Sequence, residues 1–462
     1  MTKKFVYTVL LIIVFFQVQS QNIQTTFGFN EFLGYVKKYH PLVKQADLKL
    51  NEAQANLMLA RGAFDPKIEV DFNDKMFKDK TYYSILNSSF KIPTWYGIEL
   101  KAGFNQAEGL YLNPENTAPI SGLTTLGISI PLGQGLLVNQ RMTDIRKAKI
   151  AQKLNVAERN LKAVDVIYEA AVSYVNWKKC FDEVQRYQNY LNNTQIRYKG
   201  VLQLIEQGDK PAIDSIEAGI AVKTRQLNME EAQLKLTKAK LELSNYLWLE
   251  GNIPLELKDE LQPESQLKNT IKTTLQLNDL GGFDMDNHPK IKALDAKIAM
   301  LIEDKKLKAN ALLPKIDLQY NYLSEPKYWD NFRLHDYKIG VQFSMPIFLR
   351  KERASLKLAQ LKIQDSELSL QFERKNIDNK IKYQQQEIQS LDKQYDYITK
   401  LARDYATLLT AEDRLFAMGE SSLFIINSRE NALVTAQINE ISIENKYLNS
   451  VISLYKTLAN PE

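Results

Sequence analysis

The chain says the same thing twice at a fixed offset. His40-Pro41 opens an apolar-periodic run that ends at Arg61-Gly62-Ala63-Phe64-Asp65-Pro66-Lys67-Ile68-Glu69-Val70. His288-Pro289 opens a second run that ends at Ala309-Asn310-Ala311-Leu312-Leu313-Pro314-Lys315-Ile316-Asp317-Leu318. The spacing is 248 residues at both ends of the unit. A period that long means an internal duplication. Length alone would allow 462 residues two to four ordinary domains. The duplication argues instead for one architecture built from two halves.

The first twenty residues read as a leader rather than as structure. Lys3 and Lys4 form its charged start, Phe5 to Phe16 is an apolar run interrupted by Thr8, and Val18-Gln19-Ser20 is a small-residue cleavage site. The alternative is a membrane anchor. Twelve apolar residues fall short of the roughly 20 that a spanning helix needs, and no other segment is apolar enough for one. The single cysteine, Cys180, permits no disulfide within the chain and reads as a small apolar filler. Net charge is +5, and +3 once Lys3 and Lys4 leave. That balance is too mild and too interspersed to argue for a nucleic-acid partner.

Each half runs in the order helix, strands, long helix, turn, helix. Asn30 to Arg61 has helical periodicity, with Pro41 suited to a first turn. His40 and His288 are candidate ligands or bases, or simply residues that start a helix and were copied with it. Pro66 and Pro314 stop the helices, and strict alternation follows. Ile68, Val70 and Phe72 oppose Lys67, Glu69, Asp71 and Asn73; Ile316, Leu318, Tyr320 and Tyr322 oppose Lys315, Asp317, Gln319 and Asn321. Period two means a sheet with one apolar and one polar face. The segments end alike, at Pro131-Leu132 and Pro346-Ile347. The first half has 33 more residues between its prolines. They include a run at Tyr96, Ile98, Leu100, Ala102 and Phe104 and a shorter one around Leu86 to Ile92, and predict an extra hairpin between residues 76 and 122.

Beyond Pro131 and Pro346 the pattern turns helical, with no further proline before Gly208 and Gly419. At 1.5 Å per residue each run makes a rod on the order of 100 Å long. Such rods need neighbouring helices. Gly208-Asp209-Lys210-Pro211 and Gly419-Glu420-Ser421-Ser422 are turn chemistry at helix ends, and a returning helix follows each. The expected organisation is a leader over 1–20, a first repeat over 21–250 with strands in 66–131 and a tip at 208–211, and a linker over 251–287. A second repeat follows over 288–462, with strands in 314–346 and a tip at 419–422.

The returning helix expected over Ile213 to Trp248 carries Ile213, Ile220, Leu227, Leu234, Leu241 and Trp248 at intervals of seven. A second stripe holds Val222, Met229, Leu236 and Leu243. A third holds Ala218, Ala232, Ala239 and Tyr246, with Arg225 interrupting it. At about 100° per residue the second and third lie about 60° apart, and the first lies opposite both. Two opposed apolar seams with polar flanks need a neighbour on each side and leave two wet faces. Helices side by side around a water-filled tunnel meet that requirement; a layered solid bundle is the alternative.

Two or three hairpins cannot close a wall alone, and open edges are not tolerated in lipid. About eight strands is the practical minimum for a membrane barrel. Either the hairpins pack on helices in water, or several chains pool them. Aromatic residues near the strand ends (Tyr82, Tyr83, Trp95, Tyr96, Tyr320, Tyr322, Tyr328, Trp329, Phe332, Tyr337) favour pooling, since rings sit at the interfaces of outer-membrane barrels.

With the duplication, the prolines Pro66 and Pro314 and the junctions Pro131-Leu132 and Pro346-Ile347, the chain resembles the TolC family of outer-membrane efflux proteins. Two turn motifs add to the likeness. One is Arg197-Tyr198 with Gln207-Gly208-Asp209 and Asp214-Ser215-Ile216-Glu217-Ala218; the other is Arg414-Leu415-Phe416-Ala417-Met418-Gly419-Glu420. The likeness covers about residues 27 to 460 and rests on the doubled order, since each motif alone is loose. It implies a mainly α fold with a β-barrel portion. Three chains would share one transmembrane β-barrel in the outer membrane of a Gram-negative bacterium. Long antiparallel helical hairpins would continue it as an α-barrel across the periplasm.

The resemblance also implies partners: a periplasmic adaptor and an inner-membrane transporter, met at the tip turns Gly208-Asp209 and Gly419-Glu420. Acidic residues just past the tip glycines face the lumen in the family. Here Asp214 and Glu217 match that pattern, whereas Ile425 and Ser428 stand at the corresponding places in the second half, so the entrance is expected to be less acidic or partly apolar. Three copies of Asp214 near one axis would attract cations. The competing assignment for Asp214 and Glu217 is ordinary first-turn acids at a helix N-terminus.

Nothing supports catalysis or a cofactor. His40, His288 and His335 do not sit in a metal-ligand spacing, and there is no glycine-rich phosphate loop or nucleophile elbow. The expectation is a passive export duct for efflux or type I secretion, with a secreted coiled-coil adaptor or rod as the alternative. Its cargo is not written in the sequence.

Overall fold

The computed structural model describes residues 26–277, 283–328, 333 and 335–459. The leader, its cleavage site at Ser20, Trp329 and Phe332 lie outside them. In chain order the elements begin with helices α1 (Phe29–Tyr39) and α2 (Pro41–Gly62), then strands β1 (Lys67–Phe77), β2 (Lys80–Pro93), β3 (Glu99–Glu108) and β4 (Leu123–Pro131). Helices α3 (Gln140–Glu206), α4 (Ile213–Ser244), α5 (Leu267–Thr274) and α6 (Pro289–Asn310) follow. Strands β5 (Lys315–Ser324) and β6 (Tyr337–Ser344) and helices α7 (Arg350–Ala417) and α8 (Leu423–Leu458) complete the second half. The fold is mainly helical with one large sheet. Among the described residues no helix is long and apolar enough to cross a membrane.

The chain divides into two compact units, one of Met1–Lys44, Lys162–Phe283 and Asp378–Glu462, the other of Gln45–Leu161 and Asp284–Ile377. The second unit holds a six-stranded sheet in the order β6-β5-β4-β3-β2-β1, antiparallel at every step. The extra sequence of the first half therefore supplies β2 and β3, and they lie in the middle of the sheet. The run expected from Tyr96 starts later, at Glu99. Thr94 to Ile98 instead forms a turn, closed by the Thr94 N–H donating to the Ile98 carbonyl at 2.8 Å, with Gly97 at φ 72°. That turn is held from outside. Trp95 stacks on Phe64 at 5.7 Å, Asn139 Nδ2 donates to the Trp95 carbonyl at 2.9 Å, and Arg141 pairs with Glu99. At the other end of the strands Tyr82 stacks on Tyr111 at 4.7 Å.

The long helices start later than the prolines suggest, at Gln140 and Arg350. In the first half the delay has a visible cause. Gly135 takes φ +103° in the loop, and Asn139 caps the helix, its Oδ1 accepting from the Met142 N–H at 2.9 Å.

In the first unit, α1 buries Phe29, Phe32, Leu33 and Val36, the spacing of one helical face. Phe29 and Phe32 meet the ring of Tyr174, whose hydroxyl donates to the Phe27 carbonyl and accepts from the Glu264 N–H at 3.0 Å. Trp177, Leu267, Ile271, Leu448 and Ile452 are also fully buried. Burial raises the pKa of the Tyr174 phenol and keeps it protonated.

The helix expected from Asn30 to Arg61 is broken at His40, which is extended at ψ 130°. The residue before a proline is pushed out of the helical region. His40 Nδ1 then accepts from the Leu42 N–H at 3.2 Å, and His288 Nδ1 from the Lys290 N–H at 3.1 Å. The duplicated histidines are helix caps. His40 is buried and stacked on Tyr246 at 5.5 Å, and burial lowers its pKa below the ordinary 6.5. Its neutral form is the native one, so the stability it contributes is present above about pH 6.5 and lost as pH falls below it. His40→Asn keeps a capping acceptor but does not titrate. Thermal melts at pH 7.5 and 5.5 should show a smaller drop in this variant than in the wild type; an equal drop would contradict the assignment.

Candidate functional site

Both tips lie in the first unit and are built alike. At the end of α3, Gly208 takes φ +82°, its N–H donates to the Ile205 carbonyl at 3.0 Å, and the Asp209 N–H donates to the Leu204 carbonyl at 2.9 Å. At the end of α7, Gly419 takes φ +80°, its N–H donates to Phe416 at 3.0 Å, and the Glu420 N–H donates to Leu415 at 2.9 Å. Each is a Schellman close, in which a left-handed glycine satisfies the last helical carbonyls. The returning helices differ. Ser422 caps α8, its Oγ accepting from the Ile425 N–H at 3.4 Å, whereas Ala212 before α4 makes no side-chain cap.

The two turns pack against each other. Val201, Ala218 and Leu423 form a small buried core, covered by Tyr198, Ile205 and Phe416. The Lys210 ammonium sits 5.1 Å over the Phe416 ring. Glu217 is half-buried and accepts from Asn427 Nδ2 at 3.3 Å, which ties the first tip to the second. Asp214 is half-buried one turn earlier, while Ile425 and Ser428 are exposed on α8. Asp209 and Glu420 are exposed at the turns themselves.

Beside the tips lies a charge cluster that sequence reasoning did not assemble. Glu430, 1% exposed on α8, faces Arg197 of α3 at 3.3 Å and Arg225 of α4 at 3.5 Å, and accepts from the Thr194 hydroxyl at 3.4 Å. Arg225 also donates to Asn431 Oδ1 at 2.5 Å, and Arg197 reaches Asp413 of α7 at 3.6 Å. Burial pushes the Asp413 carboxyl up, against the pull of Arg197. Four helices meet in one electrostatic unit. The signal for it was a charge standing in an apolar stripe: Arg225 between Ala218 and Ala232, and Glu430 between Ile426 and Leu433, all buried.

The faces of the returning helices carry the main asymmetry. The stripes Ala218, Ala232, Ala239 and Met229, Leu243 of α4 are buried inside the unit. The opposed stripe is bare, with Ile213, Ile220, Leu227, Leu234 and Leu241 each 60–72% exposed. Trp248 does not extend it, because α4 ends at Ser244. There the chain tightens through Tyr246 and Leu247 N–H bonds to Leu243 and Ser244, and Trp248 pairs with Pro254 in a two-stranded ribbon. Helix α8, by contrast, is enclosed. It touches α3 at Tyr190–Gln437 and Lys178–Glu444, α4 at Arg225–Asn431, and α7 at Thr399–Glu440. A second bare stripe runs along α7 at Leu401, Leu408 and Leu415. Among the described residues no cluster of His, Cys, Asp and Glu could hold a metal ion.

Removing Glu430 would leave the buried Arg225 and the partly buried Arg197 without their shared counter-charge. Glu430→Ala should cost about 3–5 kcal/mol, whereas loss of the half-exposed Asp413 should cost no more than about 1 kcal/mol. Chemical unfolding of the two variants checks the ranking; equal costs would contradict it.

No curated protein sequence matches the chain significantly. Solved structures do. The Campylobacter jejuni CmeC outer membrane channel aligns at TM-score 0.65 and 15% identity, over 93% of this chain and 85% of that one. The open state of the Neisseria gonorrhoeae MtrE outer membrane channel aligns at 0.65 and 15%, over 94% and 89%. The Vibrio cholerae outer membrane protein VceC aligns at 0.65 and 12%, over 93% and 96%. At these identities the likeness is one of fold. The outer membrane efflux protein family model matches residues 35–247 and 285–460, one stretch in each half. With most of the chain so matched, it belongs to the outer membrane efflux protein family, whose members are channels and not enzymes.

Proposed function

We propose that three copies of this chain form a passive export duct across the outer membrane and periplasm, fed by an inner-membrane transporter through a periplasmic adaptor. The observation that carries the reading is the bare heptad stripe of α4. Five large aliphatic side chains at intervals of seven are a coiled-coil seam without its partner. Covering each contributes about 1.5–3 kcal/mol. The stripe of α7 at Leu401, Leu408 and Leu415 is the complementary seam, so α4 of one copy meets α7 of the next. Such a head-to-tail contact closes into a ring when its rotation divides the circle. The two-faced sheet supports the membrane end of the duct. A coiled-coil rod working in water would have no use for it.

Within this reading the tip turns Gly208-Asp209 and Gly419-Glu420 are the surfaces offered to the adaptor. Asp214, Glu217, Ile425 and Ser428 line the entrance. Glu217 bound to Asn427 favours a structural role for that acid, which leaves Asp214 as the charge that attracts cations. Efflux and type I secretion both fit the architecture.

Leu227→Lys puts a charge in the centre of the bare stripe. It should abolish the trimer in detergent, as measured by light scattering, and leave the far-ultraviolet circular dichroism unchanged; a persistent trimer would refute the seam. In planar bilayers Asp214→Ala should lower cation selectivity, and unchanged selectivity would remove Asp214 from the entrance.

A further inference from the structure

The two repeats bring unequal numbers of strands, and the unequal part is built into the wall. The second repeat supplies β5 and β6. Had the first supplied only the matching pair, β1 would lie against β4. Instead β2 and β3 stand between them, and every neighbour is hydrogen-bonded to the next.

Near the pinned turn the insertion keeps the two faces of the rest, whereas farther along Ser88 and Gln106 interrupt the apolar face and Ile85 the polar one. Ile68, Phe90, Ala102, Leu126, Tyr322 and Tyr337 stand opposite one another in a single row across all six strands. The adjacent row is Lys67, Lys91, Lys101, Gly127, Asn321 and Lys338. One row is apolar or aromatic and the other polar, with no break at β2 or β3. Because side chains alternate, a hairpin slipped by one residue would have reversed the faces. The two inserted strands, 14 and 10 residues long, reach the roughly 9–11 residues that a tilted strand needs to cross a bilayer. Their turn is pinned by Phe64, Asn139 and Arg141, so the hairpin is not a loose appendage.

The sheet also has two free edges. β1 and β6 are exposed along their whole length, and both carry apolar alternation: Ile68, Val70 and Phe72 on one, Ile339, Val341 and Phe343 on the other. Six strands is an even number, so β1 and β6 run in opposite directions and meet antiparallel when copies are arranged in a ring. In lipid their open N–H and C=O groups have no other partner.

We propose that the extra hairpin belongs to the barrel wall, that β1 of each copy pairs with β6 of the next, and that three copies therefore build an eighteen-stranded barrel from three six-stranded sheets. This rests on the trimeric duct proposed above. Two equal repeats would give twelve strands. Barrel diameter grows roughly linearly with strand number, so this wall is about 1.5 times as wide. The membrane end of the duct thus admits a bulkier or more hydrated cargo than equal repeats would allow.

Cysteine pairs introduced into a Cys180→Ala background test the proposal in the full-length, detergent-extracted protein. Val70→Cys with Ser88→Cys, which are opposed on β1 and β2, should form a bond within one chain. Ile68→Cys, Val70→Cys and Phe72→Cys, each combined with Ile339→Cys, Val341→Cys and Phe343→Cys, should include pairs that give a covalent trimer lost on reduction. A bond between Val70→Cys and Thr124→Cys in a trimer would mean that β1 lies on β4, which overturns the eighteen-stranded wall while leaving the trimer intact. A bond between Val70→Cys and Ser88→Cys in a protein that remains monomeric would instead overturn the trimeric duct, and the strand count with it.

Discussion

A strand edge in hydrocarbon has no water to bond to, and that constraint governs what this chain can do alone. β1 and β6 leave a row of backbone donors and acceptors open at each side of the sheet. Among the described residues no helix is long and apolar enough to cross a membrane. In the proposed trimer, closure comes from the other copies. The helical part makes the same demand in different chemistry, because the stripe of α4 that is apolar at every seventh residue is left exposed by the described residues.

The two halves have diverged within that plan. The first half carries the inserted hairpin, the uncapped start of α4 and the more exposed of the two bare seams. The second half carries the capped start of α8, a helix enclosed by its neighbours. At the tips the equivalent glycines keep the same left-handed close, while the residues just beyond them have changed character. The buried Glu430 with Arg197 and Arg225 sits where the four helices converge. Burying charge is costly unless it is paired, so the cluster fixes which helices are neighbours more than it adds to stability. A slip along any of the four would separate the charges.

Much of this was legible in the residues. Period-two alternation after Pro66 and Pro314, helix stops at both prolines and turn chemistry at Gly208 and Gly419 are local signals, and local geometry follows them. The sevenfold stripes of α4 were legible too, including their opposition. Which stripe the chain covers by itself was not, because that depends on where α8 lies. Long-range pairing stayed hidden for the same reason. Arg225 looked like a flaw in an alanine stripe until Glu430 stood beside it, and the inserted hairpin could be counted but its place between β1 and β4 could not. Start points failed where a loop intervened: Gly135 and the Asn139 cap defer α3 to Gln140, and the turn at Thr94 to Ile98 removes Tyr96 from its strand. The family resemblance supplied the trimer and its partners, which no periodicity encodes.

The central claim is that this chain is one third of a closed structure. Its most direct test is the protein mass of the particle extracted from outer membranes, with the detergent contribution subtracted. The account predicts a single species of three chain masses. A stable, folded particle of one chain mass would contradict it.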